Sequence, residues 1–406
     1  MKQMKKNILF ADLTHTASLK GIVGGSSISL YLFIKNLDRS QYNPIVLLNF
    51  PNKNVKKLEA LKCKVILLNR KTWDEMDFGG LSRLSVRTKK KLHSNSLFLN
   101  IYNVVVFFLR VIVDILPRAL RTYLIIKKHK ISLVHVNRRI PTGRFAIIAA
   151  RLSGVPVVCH ERWFSNFTEF DLYLSQFTKA VICVSRAVQS HCMQAGLRTP
   201  LLTTVHNGFD FSEFKINTHR KEREFLHIGI AGLITQWKGQ HIFIEACAKV
   251  KREYRDLKFF IVGLPYYDDY QGELERLIKK LNLQDDIEFT GYIDDVNQIM
   301  DLLDIVVHAS VEPEPCGRIV IESMGFGKPL IATRLGGNLD LVEDGVSGLL
   351  IQPGDSKKLA DAILFLINNP NKSKQLGANA MKRVRDKFSI EGTVNKIEQI
   401  YRDILY

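Results

Sequence analysis

No two cysteines of this chain form a Cys-x-x-Cys pair. The six, at positions 63, 159, 183, 192, 247 and 316, are scattered, which argues against a disulfide framework or a cysteine-ligated zinc module. Cys159 and Cys183 fall inside apolar runs, so reduced core thiols in a cytoplasmic protein are expected. No secretory leader is expected either. Residues 1–6 are basic, but a strand containing Asp12 follows where an apolar core and cleavage site would stand. The chain has no short repeat, no low-complexity tract and no RNA- or DNA-reading motif, so no nucleic-acid partner is expected despite its basic charge. It also lacks an unbroken apolar run long enough to cross a bilayer. The longest candidate, residues 97–116, is interrupted by Asn100, Asn103, Arg110 and Asp114, and a charge in mid-span is costly. Two readings stay open for it: a buried helix, or a helix lying in a membrane interface. Basic residues at both ends favour an anionic surface: Arg87, Lys89, Lys90 and Lys91 before it, and Arg118, Arg121, Lys127, Lys128 and Lys130 after it.

What the chain does have is length and apolar content. Its 406 residues are 46% hydrophobic, enough for two or three domains with sizeable cores. It carries 58 Lys and Arg against 40 Asp and Glu, a formal charge of +18, which suits anionic partners such as nucleotides, lipid diphosphates or phospholipid headgroups. Strand-length apolar runs alternate with helix-length segments nearly throughout. In the first half they lie at 8–11, 45–48, 65–68, 133–136, 155–159, 181–184 and 203–206. In the second half they lie at 227–231, 258–262, 287–289, 305–308, 330–332 and 349–351. Most are continuous Val/Ile/Leu runs, which predicts strands covered on both faces and hence parallel sheets in doubly wound α/β units. Residues 211–224 are polar and without periodicity and read as a linker. The expected organisation is therefore an acceptor-side domain at 1–210, a linker at 211–224, and a nucleotide-binding domain at 225–385. A terminal helix at 386–406 is expected to pack back toward the first domain. Such sheets bind ligands at the carboxyl ends of their strands, so a central cleft between two Rossmann-like domains is expected to hold the substrates.

The strongest chemical signal is Glu314-Pro-Cys-Gly-Arg-Ile-Val-Ile-Glu322. Pro313 and Pro315 flank the first Glu and keep it out of a helix, while Gly317 opens a segment with helical spacing. Glu314 thus stands before a helix start and Glu322 on its second turn. Free N–H groups and the positive dipole end there suit a phosphate or sugar hydroxyls. In the first half, Gly24 and Gly25 follow the first strand, where backbone amides can approach a diphosphate. His160 ends a strand on the expected ligand edge, with Glu161 and Arg162 beside it as further candidates for a substrate contact. The acidic pairs Asp268-Asp269 and Asp294-Asp295 read as turn or helix-start residues, so no metal site and no cofactor are expected.

These motifs resemble glycosyltransferase family 4, retaining enzymes of the GT-B fold whose hallmark is Glu-x7-Glu. The resemblance extends over His206-Asn207-Gly208-Phe209-Asp210, Trp237-Lys238-Gly239, Val262-Gly263, Phe289-Thr290-Gly291-Tyr292 and Gly336-Gly337 through Gly348. It is strong over roughly residues 200–385 and weak before that. It implies that Glu314 contacts the donor sugar and stabilises charge at the anomeric carbon, and that Glu322 bonds the donor ribose. It implies too that amides of Cys316, Gly317 and Arg318 meet sugar hydroxyls and phosphate, and that Lys238 neutralises the diphosphate. Gly291 and Tyr292 would lie by the base, Gly263 would permit close approach, Gly24 and Gly25 would approach the diphosphate, and His160 would bond the donor sugar. Three positions depart from the family pattern: Leu233 stands where an Arg is usual, Cys316 where a Phe is, and Asp340 where a Glu is. Arg318 is the candidate for the missing cation. The expected activity is sugar transfer from a nucleotide-sugar donor to a sugar or lipid-linked sugar acceptor, on the inner face of the membrane. A nucleotide-sugar epimerase of similar fold and a non-catalytic nucleotide-sugar binder are the alternatives.

Overall fold

The computed structural model describes residues 5–12, 24–68, 104–213, 224–266 and 268–406. Arg87, Lys89, Lys90 and Lys91, residues 97–103, and residues 214–223 of the expected linker lie outside the described residues. Among the described residues the first sheet has seven strands. They are β1 (Lys6–Asp12), β2 (Tyr42–Leu48), β3 (Lys64–Leu67), β4 (Ile131–Val136), β5 (Val157–Glu161), β6 (Ala180–Cys183) and β7 (Leu202–Thr204). The second has six: β8 (Leu226–Ala231), β9 (Leu257–Val262), β10 (Ile287–Gly291), β11 (Ile305–His308), β12 (Leu330–Thr333) and β13 (Leu349–Ile351). Every apolar run singled out in the sequence overlaps one of these strands. β1 runs parallel to β2 and β4, and β8 runs parallel to β9 and β11.

Strand composition follows from burial on both faces. In the second sheet Ile228, Ile230, Phe259 and Ile261 enter one apolar core, while Ala231, Phe260 and Val262 enter another on the opposite face. A sheet packed on both sides has no polar face to encode, so the sequence shows runs and not alternation.

Strand order positions the chemistry. The first sheet is ordered β3-β2-β1-β4-β5-β6-β7, so the chain winds outward from β1 and returns on its other side at β4. The second is ordered β10-β9-β8-β11-β12-β13, with the same reversal between β8 and β11. Such reversals open a crevice at the strands' carboxyl ends. In the first sheet Asp12 ends β1 and Asn137 follows β4; in the second Gly232 follows β8 and His308 ends β11.

By packing, the chain divides into two units. One comprises Met1–Ile182, Cys192–Thr203 and Ile400–Tyr406; the other comprises Cys183–His191 and Thr204–Gln399. In the first, the Tyr401 hydroxyl lies 2.6 Å from Nδ1 of His135, and its ring packs edge-on against Tyr42 and Phe33.

The stretch left open in the sequence is helical from residue 104 onward. A π-helical turn (Val111–Ile115) leads into the helix Leu116–Lys128. One face is buried through Asp114, Ile115, Arg118, Ala119, Thr122, Ile125 and Ile126. Asp114 and Arg118 pair at 2.5 Å, and the Arg118 guanidinium lies 4.7 Å from the Phe145 ring centroid. Among the described residues no helix is long and apolar enough to cross a membrane.

Candidate active site

The second unit brings Lys238, Glu314 and His308 together. Lys238 ends a short 3₁₀ turn (Gln236–Lys238) in the loop after β8. Its ammonium lies 2.7 Å from both carboxylate oxygens of Glu314 and 4.5 Å from the Trp237 ring centroid. His308, at the end of β11, is 2.5 Å from Oε2 of Glu314, and the Ser310 hydroxyl is 3.2 Å from the same oxygen. The Asn338 amide fixes the imidazole tautomer. Its Nδ2 donates to the Thr333 carbonyl at 3.0 Å, so that atom is the NH₂ group, and it meets Nδ1 of His308 at 3.1 Å. Nδ1 therefore accepts and Nε2–H donates to Glu314. Burial alone would raise the Glu314 carboxyl, but the Lys238 charge and the His308 contact outweigh it and hold the group well below the usual carboxylate range.

Backbone packing sets the loop that carries Glu314. Gly336 adopts a positive φ of 54°, and a Cβ there would lie 2.3 Å from the Glu314 carbonyl oxygen. The Gly337 amide donates to that same carbonyl at 2.8 Å. Gly317 then caps the helix Arg318–Gly325. Arg318 and Glu322, one turn apart on that helix, pair at 2.5 Å. The family resemblance implies different parts of a donor for these two side chains, whereas here they hold each other. Cys316 is half-buried, and burial pushes its thiol up to about 11.

Gly263 and Gly291 follow β9 and end β10, and the Gly263 amide donates to the Gly291 carbonyl at 2.9 Å. Gly263 has φ 148°, and a Cβ there would lie 1.9 Å from the Gly232 carbonyl oxygen. A neighbouring strand end, before any ligand, accounts for glycine at this position. Tyr292 is partly exposed and donates to Asp294 at 2.8 Å; burial, with Asp294 beside it, raises its phenol to about 12. Asp295 caps the helix Val296–Leu302 and Asp268 opens the helix Asp268–Lys280, the helix-start roles read from the sequence. Among the described residues no group of three or more His, Cys, Asp or Glu is arranged to hold a metal ion.

The first unit contains Gly24, Gly25 and His160. Gly24 caps the helix Gly25–Asn36, and among the described residues no atom lies within 4 Å of a Cβ placed there. That helix carries Ser27, whose hydroxyl donates to Asp12 at 2.6 Å. Asn137 donates to the other Asp12 oxygen at 3.2 Å and accepts from Nε of Arg162 at 2.9 Å. Arg162 in turn donates to Nδ1 of His160 at 3.1 Å. A guanidinium can only donate, so Nδ1 carries the lone pair and the proton is on Nε2. That Nε2 is buried without a hydrogen-bond partner among the described residues. Burial, with Arg162 and His135 nearby, holds the His160 pKa well below its ordinary value. Glu161 is not free for a substrate: its oxygens accept from the Ile140 amide at 2.5 Å and the Ser165 hydroxyl at 3.0 Å.

No sequence motif assigns a role to His308, Ser310, Asn338, Asn137 or Asp12. The signal available was positional, since His308 and Asp12 end the strands flanking the two reversals.

Comparison with known proteins agrees with this architecture. Residues 23–213 match the model for Glycosyltransferase Family 4, and residues 211–383 match that for Glycosyl transferases group 1. An alpha-D-kanosaminyltransferase from Streptomyces kanamyceticus is 30% identical over 43% of this chain, and the match spans 44% of that enzyme. An N-acetyl-alpha-D-glucosaminyl L-malate synthase from Bacillus anthracis is 25% identical, with 69% of this chain and 76% of that protein covered. The crystal structure of Anabaena HepE in complex with UDP aligns with a TM-score of 0.77 at 26% identity, covering 98% of this chain and all (100%) of that one. HepE has also been solved with UDP-glucose. The chain, with its two parallel α/β sheets of GT-B type, belongs to glycosyltransferase family 4, the group 1 glycosyltransferases.

Proposed function

We propose that this chain moves a hexose from a nucleotide-diphosphate sugar to an acceptor, with retained anomeric configuration and without a metal ion. The observation that carries the reading is the Lys238–Glu314 pair, a carboxylate and an ammonium fixed together at the reversal of the second sheet beside a helix start. The 225–385 region holds the donor and the 1–210 region the acceptor. Glu314 stabilises positive charge at the anomeric carbon. Lys238 and the amides of Cys316, Gly317 and Arg318 take the diphosphate charge, a task that fixed cations and helix dipoles perform without a divalent ion. Glu322 meets the ribose, Gly291 and Tyr292 lie by the base, Gly263 permits close approach, Gly24 and Gly25 approach the diphosphate, and His160 donates to the donor sugar. The acceptor oxygen bonds to the anomeric carbon as the carbon–oxygen bond to phosphate breaks on the same face, and the departing phosphate takes the acceptor proton.

UDP is the favoured nucleotide, on the likeness to HepE. The net charge of +18 supports a lipid-linked diphosphate acceptor of surface polysaccharide or glycolipid synthesis, and a protein resting on an anionic membrane surface. A panel of UDP-, GDP- and ADP-sugars tests the reading by thermal stabilisation and nucleotide release. One donor class should raise the melting temperature by mass action and be turned over in excess EDTA. Failure of every sugar nucleotide to stabilise or react would refute the transferase reading. Loss of turnover in EDTA, restored by Mn²⁺, would refute metal independence.

A further inference from the structure

The helix running from residue 104 to Lys128 is buried on one face and apolar on the other. Val104, Phe108, Ile112, Leu116, Leu120 and Leu124 recur at four-residue intervals, and each is between 48% and 62% exposed. Val105 and Leu109 widen the ridge. In a regular α-helix a four-residue step turns about 40° further round the axis, so a row so spaced would wind to the opposite side over about 30 Å. The π-helical turn Val111–Ile115 has a wider turn and takes up part of that rotation, which keeps the row on the solvent side. A contiguous apolar ridge of this length marks an interaction surface.

Charge identifies the partner. Between residues 104 and 130 the one acid is Asp114, which is buried and paired with Arg118. Arg121, Lys127, Lys128 and Lys130 are exposed around the end of the ridge, and Arg110 is partly exposed within it. Two copies joined ridge to ridge in parallel would bring these like charges together, and joined antiparallel would leave each basic end without a counter-charge. An anionic bilayer offers the complement, with headgroups for the basic rim and acyl chains for the Phe, Ile and Leu side chains.

We propose that this ridge is a lipid-facing surface that beds into an anionic bilayer without crossing it. The proposal rests on the peripheral-membrane reading above and deepens it by naming the surface. The test is flotation of the full chain with vesicles of phosphatidylglycerol and phosphatidylcholine, and with phosphatidylcholine alone. The wild type should float with the anionic vesicles, and less so as salt is raised. The variant Phe108→Ser/Ile112→Ser/Leu120→Ser/Leu124→Ser replaces exposed groups, so it should keep its melting temperature and its nucleotide release while vesicle binding falls about tenfold or more. As a second readout, the added Trp emission of Leu120→Trp should shift to the blue on anionic vesicles. A wild type that ignores anionic vesicles at low salt overturns both the ridge and the peripheral reading. A wild type that binds, with the four-Ser variant binding equally well and no shift in Leu120→Trp, overturns the ridge alone. Wild-type self-association abolished by the Ser variant, without vesicle binding, assigns the ridge to a second copy and overturns the lipid proposal.

Discussion

The Lys238 ammonium lies equidistant, at 2.7 Å, from the two carboxylate oxygens of Glu314. A donor diphosphate that recruits Lys238 therefore competes with Glu314 for it, and the two groups act as a coupled unit. Glu314→Gln should lower turnover by about 10²-fold or more, the usual cost of one preorganised electrostatic contact. Lys238→Ala should be worse for stability, because it strands a largely buried carboxylate, and breaking a buried pair costs about 3–5 kcal/mol. Steady-state kinetics and thermal melts read both effects. Wild-type turnover in Glu314→Gln would remove Glu314 from the mechanism.

With Glu314 in the proposed role, His308 is a positioning residue that acts through it. Its Nε2–H meets Oε2, and Asn338 holds the tautomer from behind. His308→Ala should reduce kcat about tenfold while the donor KM changes less than about twofold, since the missing hydrogen bond orients a carboxylate and touches no substrate. Gln offers an N–H at a similar reach and should restore most of the loss. Equal damage in the Ala and Gln variants, or a change confined to KM, would argue against this positioning role.

Much of this architecture is legible in the sequence because burial writes it there. Continuous runs such as Ile-Val-Val-His at 305–308 become parallel strands because helices cover both faces. The proline-flanked Glu314 and the helix after Gly317 follow from local backbone chemistry. Contacts made by strand order are harder to read. Asn338 reaches His308 from 30 residues away, and Asn137 bridges Asp12 and Arg162 from 125 and 25 residues away. No local pattern encodes those distances. Gly263 is a further example: its close neighbour proves to be the Gly232 carbonyl. The exposed face of the helix from residue 104 is hard to read as well, because a π-helical turn breaks the period from which a helix face is inferred.

Glu161 gives the fold an alkaline weakness. Burial raises its carboxyl to about 8, against its hydrogen bonds to the Ile140 amide and Ser165 hydroxyl. Between the unfolded value near 4.5 and the folded value of about 8, the native state holds a proton that the unfolded chain has lost. Stability must therefore fall as pH rises through that window, by at most about 1.4 kcal/mol per pH unit from this one group. His135, lowered to about 3, and His160, also lowered, work in the opposite sense, losing stability as pH falls below their ordinary value of 6.5. Above pH 6.5 their contribution is complete, so Glu161 alone of the three sets the slope to pH 8. Glu161→Gln keeps the shape and both hydrogen bonds, because the Ser165 hydroxyl can accept as well as donate. Denaturant unfolding of this variant should be flatter than wild type between pH 6.5 and 8. Parallel profiles would mean that Glu161 is ionised in the folded protein.

Arg162 decides what His160 can offer a substrate. Its guanidinium occupies Nδ1 and leaves Nε2–H as the only donor of a buried, neutral ring. The chain Ser27–Asp12–Asn137–Arg162 anchors that choice to the start of the helix at Gly25, so a group that approaches this helix start and the His160 proton share one network. Arg162→Met removes both the Nδ1 donor and a positive charge. The His160 pKa should rise toward its ordinary value, and the Nδ1–H tautomer should become populated. With a sugar hydroxyl as the partner of Nε2–H, kcat should drop about tenfold, and an acid limb absent from the wild-type pH–rate profile should appear. Arg162→Lys keeps a donor and a charge and should recover part of the activity. Nitrogen-15 spectra of imidazole-labelled protein report the tautomer without reference to catalysis. If His160 keeps its proton on Nε2 in Arg162→Met, Arg162 does not set the tautomer. If the tautomer changes while kcat and the pH profile stay at wild-type values, the Nε2 proton has no part in donor recognition.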